Sequence, residues 1–403
     1  MNRRDLFTLT AALGVAGLLP GCASGQLWAG PANPLPQGTD GDASRSAKAI
    51  ASFATRLLGR LGEGNVVFSP WSIAMVLSMV REGAVGATAS ELDRVLGGTA
   101  PQFGDDLAAG TRAILSGHGE LNVGNSLWGQ QGLAWKQPFL DRLDATYGAP
   151  LRQADFRTTP EPARTQINAW ISQQTAGKIP ELLAPGLIDN ATRLVLANAL
   201  HFKAPWAQPL IERGSLPFTT STGTVTVPTL AGGGTWPWFE KNGVRGTTLP
   251  CDGGDFALAL VLPKDARAAV DATVFQNVLA APAALVNVQL PAWKFRLKML
   301  LTDALQQLGV RLAFDAKQAD FSGMTDAERL YLGFLVHEAL IEVNAKGIEA
   351  AAATAAGMEA AGALAEPKRL VLDRPFSYAL IHVPTATPLF VGRVADPTVE
   401  SSE

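Results

Sequence analysis

The stretch Leu330-Tyr-Leu-Gly-Phe-Leu-Val-His-Glu-Ala-Leu-Ile-Glu-Val343 runs through Asn344-Ala-Lys-Gly347 into Ile348-Glu-Ala-Ala-Ala-Ala-Thr-Ala-Ala-Gly-Met-Glu-Ala-Ala-Gly-Ala-Leu-Ala365. Its first half reads as a long apolar strand, which should end in a turn. Instead it is followed by eighteen residues, nearly all of them small. Composition alone assigns these to an Ala-rich helix or a low-complexity linker, because alanine is the best helix former. Side-chain parity points elsewhere. Ile348, Ala350, Ala352, Thr354, Ala356, Met358 and Ala360 form one alternate set, and Glu349, Ala351, Ala353, Ala355, Gly357 and Glu359 the other. Both carboxylates fall in one phase and both large apolar residues in the other. That is the period-two pattern of a strand with one buried and one wet face.

Working outward, the same strand places His337 on the parity of Leu335, Ala339, Ile341 and Val343, so it points into an apolar layer, where a histidine needs hydrogen-bond partners. Upstream, Ile50, Phe53, Ala54, Leu57, Leu58 and Leu61 recur at helical spacing. In Asn65-Val-Val-Phe-Ser-Pro-Trp-Ser-Ile73, Ser69 is an N-cap and Pro70 stands at the first helical position, where its missing N–H costs nothing. The helix that follows, to Val80, is apolar nearly all round and therefore buried. Leu121–Leu127, Leu194–Phe202, Ala257–Leu262 and Val286–Leu290 read as strands, and Pro162–Thr175 and Leu300–Leu308 as helices. Phe376–Val383 and Pro388–Val394 read as a final hairpin. Helices and strands mix without a βαβ repeat, which predicts an α+β fold with mainly antiparallel sheet.

The chain has 403 residues, 47% hydrophobic and 17% charged, with a formal net charge of −3. It can bury a large core, and it lacks the Lys/Arg clusters that would neutralise several phosphates, so neither nucleic acid nor a polyanion is an expected partner. Residues 1–21 read as an export signal. Arg3-Arg4-Asp5-Leu6-Phe7 approximates a twin-arginine motif, and Leu6–Leu19 is too short an apolar run to span a bilayer. Leu19-Pro20-Gly21-Cys22 resembles a bacterial lipoprotein box, which implies a lipid anchor at Cys22, with Pro20 unusual within it; simple secretion is the alternative. The expected address is the outer membrane or cell surface, or otherwise the periplasm or the medium. Residues 22–43, rich in Gly, Pro, Ser and Asp, read as a flexible tether, and residues 44–403 as one large domain acting as a monomer. The only other cysteine is Cys251, so a lipidated Cys22 leaves no possible intramolecular disulfide.

Gly347-Ile-Glu-Ala-Ala-Ala-Ala-Thr354 closely resembles the hinge of the serpins, a family of serine protease inhibitors. Asn65–Ile73 resembles that family's early helix. Asn198-Ala-Leu-His-Phe-Lys-Ala-Pro-Trp206 is similar to its Asn-Ala-Leu-Tyr-Phe-Lys-Gly-x-Trp segment. Asp373-Arg-Pro-Phe376 and Pro388-Leu-Phe-Val-Gly-Arg-Val-Ala-Asp-Pro397 are similar to its C-terminal signature. These blocks span roughly residues 45–398 in the family's order. The resemblance implies three mainly antiparallel sheets, about eight or nine helices, an exposed reactive loop and no cofactor or metal. It also implies a suicide mechanism, in which the target protease cleaves the loop, is held as an acyl-enzyme, and is carried along as the loop inserts into the central sheet.

By the same resemblance, Gly347, Ile348, Glu349, Ala350, Ala351, Ala352, Ala353 and Thr354 form the hinge. Ser69, Ser72, Asn198 and His337 match the polar "shutter" beneath the central sheet, and Trp206 matches the "breach" where insertion begins. Family counting puts the reactive bond fourteen residues past Gly347, between Ala361 and Gly362. Counting back from Pro375 puts it between Leu364 and Ala365, and Met358 is a third choice. All are small or apolar, implying elastase-like or subtilisin-like targets rather than trypsin-like ones, which need Lys or Arg to meet a buried carboxylate. Two residues depart from the pattern. Ile348 replaces the usual Thr or Ser, and Ala345 stands where an acidic residue is common; a bulky β-branched residue at the hinge would slow insertion. A binding or carrier protein, or a mere protease substrate, is therefore the rival reading. An enzyme is not expected. Gly-x-Ser-x-Gly, P-loop and Cys-x-x-Cys signatures are missing, and His337-Glu338 lacks the second histidine of a zinc protease.

Overall fold

The computed structural model describes residues 40–265, 271–349, 366–399 and 401–402. Hinge residues Ala350–Thr354, the reactive-bond candidates Met358, Ala361, Gly362, Leu364 and Ala365, the export signal and Cys22 lie outside them. Eight α-helices are present among the described residues: α1 (Ala43–Leu58), α2 (Pro70–Gly83), α3 (Gly86–Leu96), α4 (Gln102–Leu115), α5 (Gln137–Tyr147), α6 (Pro160–Gln174), α7 (Thr273–Leu279) and α8 (Thr302–Leu308). The strands up to the middle of the chain are β1 (Val66–Phe68), β2 (Glu120–Gln130), β3 (Arg152–Ala154), β4 (Leu194–Pro205), β5 (Ile211–Thr219), β6 (Thr224–Lys241), β7 (Val244–Pro250) and β8 (Phe256–Leu262). They are followed by β9 (Ala283–Pro291), β10 (Trp293–Leu300), β11 (Leu335–Val343), β12 (Gly347–Ile348), β13 (Lys368–Val371), β14 (Phe376–His382), β15 (Thr387–Val394) and β16 (Ser401–Ser402).

Local chemistry accounts for the helices that matter most. Asp42 caps α1 by accepting from Ser44 N–H at 2.9 Å, and the periodic residues Ile50, Phe53, Ala54 and Leu57 form its buried face. This helix begins one residue before the boundary read from composition. Ser69 caps α2, its Oγ accepting from Ser72 N–H at 3.1 Å, with Pro70 in the first turn. Buried residues lie on every side of α2, as its unbroken apolar sequence requires.

The central sheet has the order β16-β10-β11-β12-β4-β2-β3, with β11 also bonded directly to β4. The remaining strands follow β1-β15-β14-β8-β7-β6-β9-β13, with β5 beside β6. Here β6 serves two leaves: Thr224–Pro237 pairs with β5 and β9, and Trp238–Lys241 pairs with β7. Most pairs are antiparallel. The β4–β11 pair at the middle of the central sheet is parallel. One face of that sheet packs on α2 within the main core, and the other on α6 through Trp170, Ile167, Ala197, Ala199 and Val336.

Two of the expected boundaries that differ have a clear physical reason. Leu300 ends β10 rather than opening α8, because it pairs with Val336. Residues 330–334 are not strand: Leu332 N–H donates to Ala313 O at 2.8 Å, and β10 ends opposite Val336, so no neighbour extends the ladder there. Cys251 is a free, fully buried thiol, and burial pushes its pKa up to about 12.

Candidate functional site

The middle of the central sheet carries a buried polar cluster. His337 on β11 stands directly opposite Asn198 on β4, and both side chains are fully buried. Ser69 N–H, at the cap of α2, donates to His337 Nε2 at 3.0 Å. That nitrogen is therefore an acceptor, and the ring proton sits on Nδ1, from which it donates to Asn198 Oδ1. Asn198 Nδ2 donates to Ser72 O at 2.9 Å and to Asn125 Oδ1 at 2.6 Å, while Ser72 Oγ donates to Asn125 Oδ1 at 2.7 Å. Burial lowers the His337 pKa to about 3, so the imidazole is neutral at physiological pH. The structure thus brings Ser69, Ser72, Asn198 and His337 together and adds Asn125 from β2, which sequence reasoning did not name. A signal for it exists. Asn125 shares parity with Leu121, Val123 and Leu127, so an amide points where its neighbours are apolar.

At one end of the sheet the two central strands part. Leu335–Leu340 of β11 pairs with Leu196–His201 of β4, and beyond that β12 fills the space between them. Ile348 faces Val343 on one side and Ala204 on the other, antiparallel to both. A tight turn makes this possible. Asn344 Oδ1 accepts from Lys346 N–H at 2.9 Å and Gly347 N–H at 3.2 Å, and Asn344 N–H donates to Gly347 O at 3.1 Å. Trp206 clamps the same turn: its Nε1–H donates to Asn344 O at 2.9 Å and its backbone N–H to Lys346 O at 3.0 Å. Ala345 contributes its carbonyl, which accepts from Leu210 N–H at 2.8 Å. Ile348 is 1% exposed, so its bulk already lies inside the core rather than waiting outside it.

Glu349 departs from the wet-face expectation. Its backbone turns left-handed, at φ +48°, where a residue with a Cβ is strained by roughly 1 kcal/mol. Its side chain is only 13% exposed and accepts from Lys178 Nζ, just past α6, and from His201 on β4. Asn122 Nδ2 donates to His201 Nδ1 at 3.3 Å, which leaves the Nε2 proton for Glu349. Burial pushes the Glu349 carboxyl up, but the bonds and charges of Lys178 and His201 outweigh it and hold the group below its usual range. Lys178 and His201 are further residues that the sequence did not nominate. The hinge is therefore seated through Ile348 and latched at Glu349.

The family described as serpin (serine protease inhibitor) matches residues 48–397. The leukocyte elastase inhibitor of Bos taurus is 34% identical over 361 residues, covering 83% of this chain and 93% of its own. An uncharacterized serpin-like protein of Thermococcus kodakarensis is 33% identical over 377 residues, covering 89% of this chain and 87% of its own. The crystal structure of Serpin48, a highly specific serpin of the insect Tenebrio molitor, superposes with a TM-score of 0.76 at 27% identity, covering 87% of this chain and 98% of that one.

Proposed function

Because the chain belongs to the serpin family of serine protease inhibitors, we propose that it is a suicide inhibitor whose cleaved loop becomes a new strand between β4 and β11. The observation that carries this reading is the placement of β12. Two parallel neighbours with a wedge antiparallel to both can accept one more strand, which replaces a parallel pairing by two antiparallel ones, the more stable arrangement per residue.

In this reading the protease serine Oγ attacks the Ala361 carbonyl. The bond to Gly362 breaks, the amine leaves with a proton, and the chain up to Ala361 remains as an ester on the enzyme. Leu364–Ala365 is the alternative bond. The register of β12 supports a path of insertion. Continued antiparallel, it would bring Ala351 opposite Leu340 and His201, and the direct β4–β11 pairs would have to open from that point downward. Each ladder bond contributes on the order of 0.5–1.5 kcal/mol net, so about a dozen residues would release roughly 10 kcal/mol. Small side chains limit steric delay, and the apolar cleavage position favours elastase-like or subtilisin-like targets. The same reading gives the chain a bacterial export route, with residues 1–21 as signal, residues 22–43 as tether and Cys22 as lipid anchor; its support is the Arg3-Arg4 and Leu19–Cys22 sequence.

The deciding experiment mixes the chain with elastase-like and subtilisin-like serine proteases on a denaturing gel. A covalent complex resistant to denaturation is expected, with fragment sequencing placing the cut after Ala361. Clean cleavage with full recovery of every protease would instead mark the chain as a substrate or carrier. The Glu349 latch is the feature that favours that second outcome, since it must break before insertion proceeds.

A further inference from the structure

We propose that a groove across β5, β6, β9 and β13 is a second docking site, at which a carboxylate on the surface of the target protease is held between Arg213 and Arg369. The identity of the partner rests on the inhibitor reading; the groove itself does not. It is a cavity of about 280 Å³ whose polar walls are Arg213, Arg369, Asn287 and Gln289. Among the described residues no acidic side chain lines it, and Glu212, adjacent to Arg213 in sequence, stays outside. Neither arginine forms a hydrogen bond or ion pair among the described residues. In a chain of net charge −3 this is a local pair of uncompensated cations.

Gly232 and Gly233 line the groove, and neither position has room for a side chain. A Cβ on Gly232 would lie 2.5 Å from Leu210 Cδ2, and one on Gly233 would lie 2.5 Å from Asn287 Oδ1. Ile211 at the rim is 60% exposed. Arginine beside exposed aliphatic surface is the composition of a protein interface, and a guanidinium pair matches the planar, bidentate geometry of a carboxylate. Two such groups suit one acidic side chain, not a polyanion, which needs many phosphate or sulfate contacts.

Position singles out the partner. Arg369 lies on β13, eight residues beyond Ala361, so it is at most about 29 Å from the reactive bond along a fully extended chain. A protease of about 250 residues has a radius of gyration of about 18 Å, hence a breadth of roughly 45 Å. An enzyme seated on the loop with its bulk toward β13 is broad enough to reach the groove. Because both arginines are exposed, their main effect is on encounter and on choice between proteases.

The test measures binding of the full chain to a subtilisin-like protease of net negative charge whose catalytic serine is replaced by alanine, so that neither cleavage nor insertion contributes. R213E/R369E is expected to raise Kd about tenfold at low salt, with the gap closing at high salt, and R213A/R369A to fall between. An elastase-like protease of net positive charge, likewise inactivated, should bind the charge-reversed chain at least as well as the wild type. Unchanged melting temperatures show that the variants fold. Equal Kd values for wild type and R213E/R369E on the acidic protease overturn the proposal, as does a wild type that binds acetate at the groove without any arginine dependence of protease binding. Failure of the inhibitor reading looks different: active protease forms no covalent complex, while the inactive one still binds in an arginine-dependent way.

Discussion

His337 is required to be neutral by its partners. Ser69 N–H points at Nε2, so a proton there would break that bond and charge a fully buried ring, which is why its pKa falls to about 3. The unfolded chain binds this proton near pH 6.5 and the folded one does not until about pH 3, so stability rises with pH across that window and is lost as pH falls through it. The loss is about 1.4 kcal/mol per pH unit for this group. Thermal melts between pH 6.5 and about 5, above most carboxylate titrations, should show a falling midpoint that His337→Gln flattens. A slope identical in the variant would assign the acid sensitivity elsewhere. Much of this site was legible residue by residue. The parity of His337 was readable from its own strand, and resemblance supplied Ser69, Ser72 and Asn198. The parity of Asn125 marks it as buried but not whom it meets, and Lys178 and His201 carry no such mark, because each acts across strands or past α6 and no local spacing signals a partner that distant in sequence.

At the scale of elements, the register of three strands says more than any one of them. On the proposed insertion, the antiparallel register of Ile348 continued by six positions would bring Thr354 opposite both His337 and Asn198. Insertion would part that bonded pair, and the hydroxyl arriving between them is the only one in the alternate set that faces the core. Thr354→Val should leave the melting of uncleaved chain within about 0.5 kcal/mol of wild type, because His337 and Asn198 are then bonded to each other. It should lower the stability of cleaved chain by about 1–3 kcal/mol, the cost of a buried polar group left unpaired. Paired denaturant melts of the two forms check this, and an equal effect on both would contradict the register. The strand itself was legible from its apolar run, but not its start. Residues 330–334 are as apolar as the rest, and only the end of β10 opposite Val336 tells them apart. Likewise β6 looks unlike a strand in sequence, since Gly232, Gly233 and Gly234 interrupt it. Close approach to Leu210 and Asn287 is what demands them.

For the molecule as a whole, cleavage of the loop should yield a more stable protein. Roughly 10 kcal/mol of new sheet corresponds to a midpoint at least about 10 °C higher. Calorimetry before and after nicking with a protease that does not stay attached measures it, and an unchanged midpoint would argue that the strand never enters. The α+β class followed from mixed periodicities, whereas the sharing of β6 between two leaves depends on long-range pairing that one sequence does not display. Among the described residues no disulfide braces the fold, and Cys251 is sealed in the core. Packing, the Glu349 contacts, the polar cluster around His337 and the six direct pairs between β4 and β11 hold the described form together. On the proposed insertion mechanism those pairs would restrain the stroke, and nothing in them would distinguish a stroke set off by a protease from one set off by heat. On that mechanism the protein would age. Opening speeds up about three- to sixfold for each 10 °C, so each molecule would have a shelf life, and the supply of unspent inhibitor would be set by the warmth of its surroundings as much as by how many proteases it meets.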